Sequence, residues 1–265
     1  MPKKVRIAID AMGGENSPQK IIKGIDIAIK KNTDYQFHLF GNETLLKNEI
    51  GKFKGIEQYC KVSNTSTLIS DDESPLSAIK KGNESSMWKC VESQKKNEND
   101  ISLSAGNTGA LLVISRLILK TLEGINKPAL AGLWPNEKNM NIVLDLGANI
   151  ECSEKNLIDF ATMGSALHKS LFEDQYPKVA LLNVGLEENK GNEILKKTFA
   201  SLKEKKNKNF DFYGYIEGNH IMDGEANVII TDGFTGNIAL KTAEGTANFI
   251  TNNFKKSLNK ISILL

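Results

Sequence analysis

The 265-residue sequence predicts an α/β fold, a mostly parallel twisted sheet with helices on both faces. Two observations lead there. Apolar runs of strand length alternate with longer segments of helical period along the whole chain, which is the pattern of parallel strands joined by crossover helices. Strand after strand is also followed by a polar cluster containing glycine, where a sheet of this kind opens into a ligand crevice.

The elements follow in order. Val5–Asp10 is a β-rich run ending in a turn over 11–16. Ser17 then offers a cap and Pro18 a first helical position, and Ile21, Ile22, Ile25, Ala28 and Ile29 continue the helical period. A strand over 35–40 ends at Gly41, a short helix covers 42–50, and a strand covers 56–62. Residues 77–96 read as one mostly helical stretch with Met87, Trp88 and Val91 on its apolar side. A strand over 101–105 leads through Gly106–Gly109 to an apolar helix over 110–122. Strands over 129–134 and 141–145 flank the polar turn 135–139, a spacing that suits an antiparallel hairpin. The rest is a helix over 154–172, a strand over 178–184, a helix over 192–205, a strand over 227–231 and a last helix from about residue 238. No internal repeat or domain linker interrupts the pattern. It reads as a single domain over 1–265, with residues 56–100 as a candidate small lobe.

Composition bounds the function. The chain is 40% hydrophobic and 25% charged, an ordinary balance for a soluble globular protein. A formal charge of +2 with no basic stripe argues against nucleic acid as a partner. Cys60, Cys90 and Cys152 are far apart and form no CxxC pair, which suits a reducing, cytoplasmic compartment. No segment approaches the about 18 apolar residues of a membrane span, and the opening MPKKVRIAID is too short to be a signal peptide.

Four clusters carry the chemistry. They are Asp10-Ala-Met-Gly13-Gly14, Ser104-Ala-Gly106-Asn107-Thr108-Gly109, Asp145-Leu-Gly147-Ala-Asn149 and Asp232-Gly233-Phe-Thr235-Gly236-Asn237. In one open sheet all four would gather at the carboxyl edge. There glycine lets backbone N–H groups approach a ligand, and a following helix turns its positive end towards an anion. Any one of them alone would be read as a tight strand-to-helix turn. A fifth cluster, Glu188-Asn189-Lys190-Gly191-Asn192-Glu193, adds a lysine among glycines after the strand over 178–184. GxGxxG, GxxxxGK[ST] and GxSxG are absent, so no dinucleotide, Walker or hydrolase-elbow reading is supported. His38, His168 and His220 show no metal spacing, and Cys152 reads as a small buried cysteine rather than a nucleophile.

DAMGG at 10–14, SAGNTGA at 104–110, DLGAN at 145–149, ENKGNE at 188–193 and TDGFTGNIALKTAEG at 231–245 together resemble the PlsX-type phosphate acyltransferases, in the same order. DDESP at 71–75 and NESSM at 83–87 are similar to that family's DDSP and DSSM segments. Glu15 stands where the family usually has Asp, and the Glu217-Gly218-Asn219-His220 stretch departs from the usual Arg-Asp or Asn-Asp ending. Family members continue past this C-terminus, so the chain is expected to be a shortened form. The resemblance implies a phosphotransacetylase/isocitrate dehydrogenase-like fold. It also implies transfer of a fatty acyl group from acyl carrier protein to inorganic phosphate, giving acyl phosphate for phospholipid synthesis. Further implications are no metal and no organic cofactor, a homodimer, peripheral contact with the membrane, and hand-off to a membrane glycerol-phosphate acyltransferase. Two alternatives stay open: a phosphotransacetylase using acyl-coenzyme A, and a non-catalytic carrier-protein or phosphate-binding protein.

For such a reaction phosphate needs positioning, the tetrahedral oxyanion needs donors and the thiolate must leave. Lys190 is the candidate for charge neutralisation. Asn107, Thr108, Thr235 and Asn237 are candidate neutral donors, with Lys190, Asn107 and Asn237 as the catalytic set. Asp145 and Asp232 orient these donors, since a carboxylate facing phosphate would repel it. Asp10, Gly13, Gly14, Ser104, Gly106, Gly109, Gly147, Asn149, Gly191, Asn192, Gly233 and Gly236 complete the expected substrate-binding edge. Near the end, Phe254, Leu258, Ile261 and Leu265 form an apolar stripe on a helix flanked by lysines, suited to a membrane surface or a subunit contact.

Overall fold

The computed structural model describes residues 4–172, 176–204 and 207–262. Strands β1 (Val5–Asp10), β2 (Tyr35–Gly41), β3 (Cys60–Asn64) and β4 (Ile101–Ser104) form one all-parallel sheet in the order β3-β2-β1-β4. Strands β5 (Gly132–Pro135), β6 (Met140–Leu144), β7 (Lys178–Leu182), β8 (Asp211–Ile216) and β9 (Val228–Ile230) form a second sheet in the order β5-β6-β9-β7-β8. Its β5–β6 pair is the expected antiparallel hairpin, and the other pairs are parallel. The chain divides into two compact units, Met1–Leu122 and Glu123–Leu265, one sheet in each. Two sheets therefore stand where the sequence suggested one, and the expected single carboxyl edge becomes two. Within the 56–100 segment, β3 extends the first sheet at one edge.

Helices cover both faces of each sheet. In the first unit, α1 (Gln19–Lys31) and α2 (Glu43–Ile50) bury Ile22, Ile25, Leu46 and Ile50 against Ile9, Phe37 and Leu39. On the opposite face Ala8 and Phe40 pack on Cys90 of α4 (Ser86–Lys95). Alternate residues of one strand thus reach different cores, as the period of two requires. α3 (Pro75–Lys81), α4 and α5 (Thr108–Leu119) share a further apolar cluster with Met87, Val91 and Ile114. In the second unit, α6 (Glu154–Leu171) and α7 (Glu193–Glu204) pack Leu157, Phe160 and Leu202 on Ile142, Leu144 and Ile230. The other face, with Val143, Leu182 and Ile229, is covered in part by Ala239, Leu240 and Ala243 of α8 (Gly233–Ser262). Each fully buried Leu, Ile or Phe contributes about 1.5–3 kcal/mol from removal of apolar surface.

Local chemistry explains where the boundaries differ from expectation. The 77–96 helix is two helices because Gly82 takes φ +64° at the end of α3 and Ser85 then caps α4, its Oγ accepting from Trp88 N at 3.2 Å. Ser17 does not cap α1. Its hydroxyl donates to Gly13 O at 2.6 Å, and Pro18 takes the cap position. α8 starts five residues earlier than expected, at Gly233, because Asp232 accepts from Thr235 N at 2.8 Å and nucleates the helix there. Strand β8 carries no clear strand pattern in the sequence: it lies at the sheet edge, and Gly214 at φ +112° breaks its alternation.

Candidate active site

Of the expected clusters, two lie in the first unit. Asp10 and Ser104 are register partners at the ends of β1 and β4, and the Ser104 hydroxyl donates to Asp10 Oδ2 at 2.7 Å. Asp10 is 1% exposed, and burial raises its pKa against the lowering pull of hydrogen bonds from Ser86 and Ser104. The glycines here serve loop-to-loop packing. A Cβ on Gly13 would stand 2.6 Å from Asp10 Oδ2 and 2.9 Å from Gly106 N, and one on Gly14 (φ +80°) would collide with Ala105 O.

Asn107, expected as an oxyanion donor, is occupied otherwise. Its Oδ1 caps α5 by accepting from Ala110 N at 3.0 Å. Its Nδ2 faces Ser70 O at 3.3 Å, Asp71 O at 3.0 Å and Glu73 O at 2.8 Å. Two amide hydrogens shared among these carbonyls make the side chain a latch for the 70–73 loop, and none is left for a substrate. Thr108 and Gly109 open α5.

The other clusters meet in the second unit, following β6, β7 and β9, which are neighbours in the sheet. Asp145 is fully buried and acts as an organiser. It accepts from the N–H groups of Leu130, Gly147, Ala148 and Asn149 at 3.1, 3.1, 2.9 and 2.8 Å, and from Asn149 Nδ2 at 2.7 Å. These donors saturate the carboxyl group, which has no ion-pair partner among the described residues. Asn149 also donates to Pro128 O at 2.7 Å, so this loop is held from both sides.

The first turn of α8 is pressed into that loop. Gly233 N donates to Asn149 O at 2.8 Å, and a Cβ on Gly236 would collide with Asp145 O. Asn237 Nδ2 donates to Leu146 O at 3.3 Å, over Gly147. Asn237 is exposed, and its second amide hydrogen has no partner among the described residues. Asp232 accepts from Thr235 N and from the Thr235 hydroxyl at 2.9 Å, so Thr235 spends its proton internally and can only accept from a ligand.

Lys190 stands on the loop after β7. It is exposed, and its ammonium has no ion-pair partner among the described residues. Gly191 follows at φ +87°, and Asn192 caps α7 by accepting from Leu195 N at 2.9 Å. A cavity of about 780 Å³ opens beside these loops, with Asn192, Asp232, Thr235, Ile150, Ile194 and Phe234 among its lining. Lys127 also lines it and donates to Glu151 O at 2.9 Å. Nothing in the sequence around Lys127 marks it. Cys152 sits in the wall with its thiol pushed up to about 11, by burial first and then by Asp145, so it is protonated at neutral pH.

Glycine loops, helix N-termini and an exposed lysine at the carboxyl ends of parallel strands are features with which α/β proteins can hold anions. Solved structures of this fold include the EutD phosphotransacetylase from Staphylococcus aureus, with a TM-score of 0.61 and 17% identity over 93% of this chain and 83% of that one. A branched-chain phosphotransacylase from Enterococcus faecalis gives a TM-score of 0.60 at 16% identity, over 90% of this chain and 83% of that one. The chain belongs to the family described as "Fatty acid synthesis protein", whose model matches residues 5–264. Its relatives include a phosphate acyltransferase of Pelagibacter ubique, 55% identical over 100% of this chain and 80% of that protein. A second, from Rhodopseudomonas palustris, is 41% identical over 98% of this chain and 74% of that protein.

Proposed function

We propose that this protein transfers a fatty acyl group from acyl carrier protein to inorganic phosphate, and that Lys190 and Asn237 handle the reacting anions. An acyltransferase using phosphate is what the named relatives share. The observation that carries the reading is the exposed Lys190, without an ion-pair partner among the described residues, on a loop next in the sheet to the N-terminus of α8, which bears Asn237.

An oxygen of the phosphate dianion attacks the thioester carbonyl carbon. The C–O bond forms as the carbonyl π pair moves onto oxygen. The oxyanion collapses, the C–S bond breaks and the thiolate leaves with that electron pair. Lys190 compensates charge on phosphate or thiolate, and the open amide hydrogen of Asn237 meets phosphate or the oxyanion. Asp145 and Asp232 work behind these groups as organisers: the Asp145 carboxylate accepts from Leu130 N and from donors of its own 147–149 loop, and the Asp232 carboxylate from Thr235.

The protein acts in the cytoplasm as a homodimer that touches the membrane peripherally and passes acyl phosphate to a membrane glycerol-phosphate acyltransferase. Support for a further contact comes from the C-terminal half of α8, where Phe249, Ile250, Phe254 and Leu258 are 69%, 60%, 63% and 49% exposed. Leu265, the end of the expected stripe, lies outside the described residues. Among the described residues no helix is long and apolar enough to cross a membrane.

The test is consumption of acyl thioester with phosphate, comparing carrier-protein and coenzyme A donors, in the protein and its Lys190→Ala variant. Loss of a charge-assisted contact is expected to lower kcat/KM by the equivalent of about 1.5–3 kcal/mol, with the melting temperature unchanged. Unaltered phosphate-dependent turnover in folded Lys190→Ala overturns the assignment of Lys190. Preference for the coenzyme A donor overturns that of the carrier protein.

A further inference from the structure

We infer that Asn183 is the positioning residue for Lys190: it holds the 185–191 loop in the shape that presents the lysine to phosphate. The inference rests on the phosphate role of Lys190 proposed above. Asn183 directly follows β7, and its backbone N–H donates to Ile216 O of β8 at 2.9 Å, so the residue is fixed to the sheet. Its side chain points into the loop. Nδ2 donates to Gly185 O at 3.0 Å and to Lys190 O at 3.3 Å, tying the two ends of the turn to one amide group. The turn is closed from the other side by Lys190 N donating to Glu187 O at 3.0 Å.

The remaining contacts leave the loop no slack around this amide. A Cβ on Gly191 would collide with Asn183 Oδ1, so the residue after the lysine is a glycine both for space and for its positive φ. The stem of Lys190 crosses Gly185, where an added Cβ would stand 3.1 Å from Lys190 Cγ. Asn183 is 7% exposed, and its Oδ1 is buried without a hydrogen-bond partner among the described residues. Leaving a buried amide oxygen unsatisfied costs about 1–3 kcal/mol. Folding alone would favour an apolar side chain here. An amide retained at that cost, with both bonds of its nitrogen on the lysine loop, is explained by the position of Lys190.

The experiment pairs Asn183→Asp and Asn183→Ala with Lys190→Ala. Steady-state rates are measured against varied inorganic phosphate and against varied acyl thioester, and amide hydrogen exchange is followed over residues 178–192. Asn183→Asp turns a carboxylate towards two carbonyls, while Asn183→Ala removes the bonds without adding charge and keeps the test open if the aspartate folds poorly. Expected is a rise of about tenfold in KM for phosphate with little change in KM for thioester, together with faster exchange at Lys190 N–H while β7 keeps its protection. On the Lys190→Ala background the Asn183 changes add almost nothing, because they act through the lysine. Full multiplication of the two effects, or unchanged exchange in the loop, overturns the inference. If Lys190→Ala impairs phosphate use and the Asn183 variants do not, only the positioning role falls. If Lys190→Ala leaves phosphate saturation unchanged, the reading of Lys190 falls first and takes this one with it.

Discussion

Single side chains in this protein divide sharply between those that spend their hydrogen-bonding capacity on the fold and those that keep some open. Asn237 keeps one amide hydrogen, and replacing it separates the two roles. Asn237→Asp places a negative charge where phosphate or oxyanion is expected, so activity should fall further than in Asn237→Ala. Both lose the bond to Leu146 O and should melt alike. Equal mild losses of kcat would make Asn237 a packing residue only.

His38 lies at the other extreme. Its Nε2 is 2.8 Å from Ser63 Oγ and its Nδ1 is 3.2 Å from Asn99 Nδ2, and burial lowers its pKa from 6.5 to about 4. Asn99 Nδ2 also donates to Ser93 Oγ, whose own hydroxyl donates to Cys90 O, so the amide nitrogen faces the ring and Nδ1 accepts. Nε2 then carries the proton and donates to Ser63, so Ser63 is not activated as a nucleophile. The unfolded chain binds this proton from about pH 6.5 downward and the folded one only near 4. Stability should therefore fall as pH drops through that window and level off below it, by at most about 3 kcal/mol. Urea unfolding from pH 7.5 to 4 checks this, with His38→Gln flattening that part of the profile.

At the scale of elements, helix starts and the loops packed on them decide what the clusters do. Asn107 caps α5 and latches the 70–73 loop. Asn107→Ala removes both and should cost about 1–2 kcal/mol of stability. Asn107→Asp keeps the cap and loses the latch, so it should melt closer to the parent while limited proteolysis speeds up at 70–73. A loss of activity in Asn107→Asp with the loop still protected would restore the residue to the catalytic set. The glycine clusters themselves were legible because strand, glycine and helix occur in that order. Which of their polar side chains remain open was not, since residues 70 and 107, or 146 and 237, meet only through the fold. Asn183 shows the same limit. A polar residue ending the apolar run Val179–Leu182 is visible in the sequence, but its bond to Lys190 O depends on how the loop turns back.

For the whole molecule, the apolar clusters of buried residues stay within residues 7–119 or within 129–243. Each unit has core on both faces of its own sheet, so residues 123–265 expressed alone should fold and melt cooperatively by circular dichroism. A non-cooperative melt would mean that this core needs the first unit to close. The alternation of strands and helices, the parallel pairing, the β5–β6 hairpin and the family were all determined by the sequence, because periodicity, turn residues and ordered motifs are local properties of the chain. Only the tertiary structure decided that the strands belong to two sheets, that β8 completes the second, and that Asn107 is engaged while Lys190 and Asn237 are open. Strand partners and hydrogen-bond partners are chosen among residues far apart in sequence, by burial and by the need of each buried polar group for a partner.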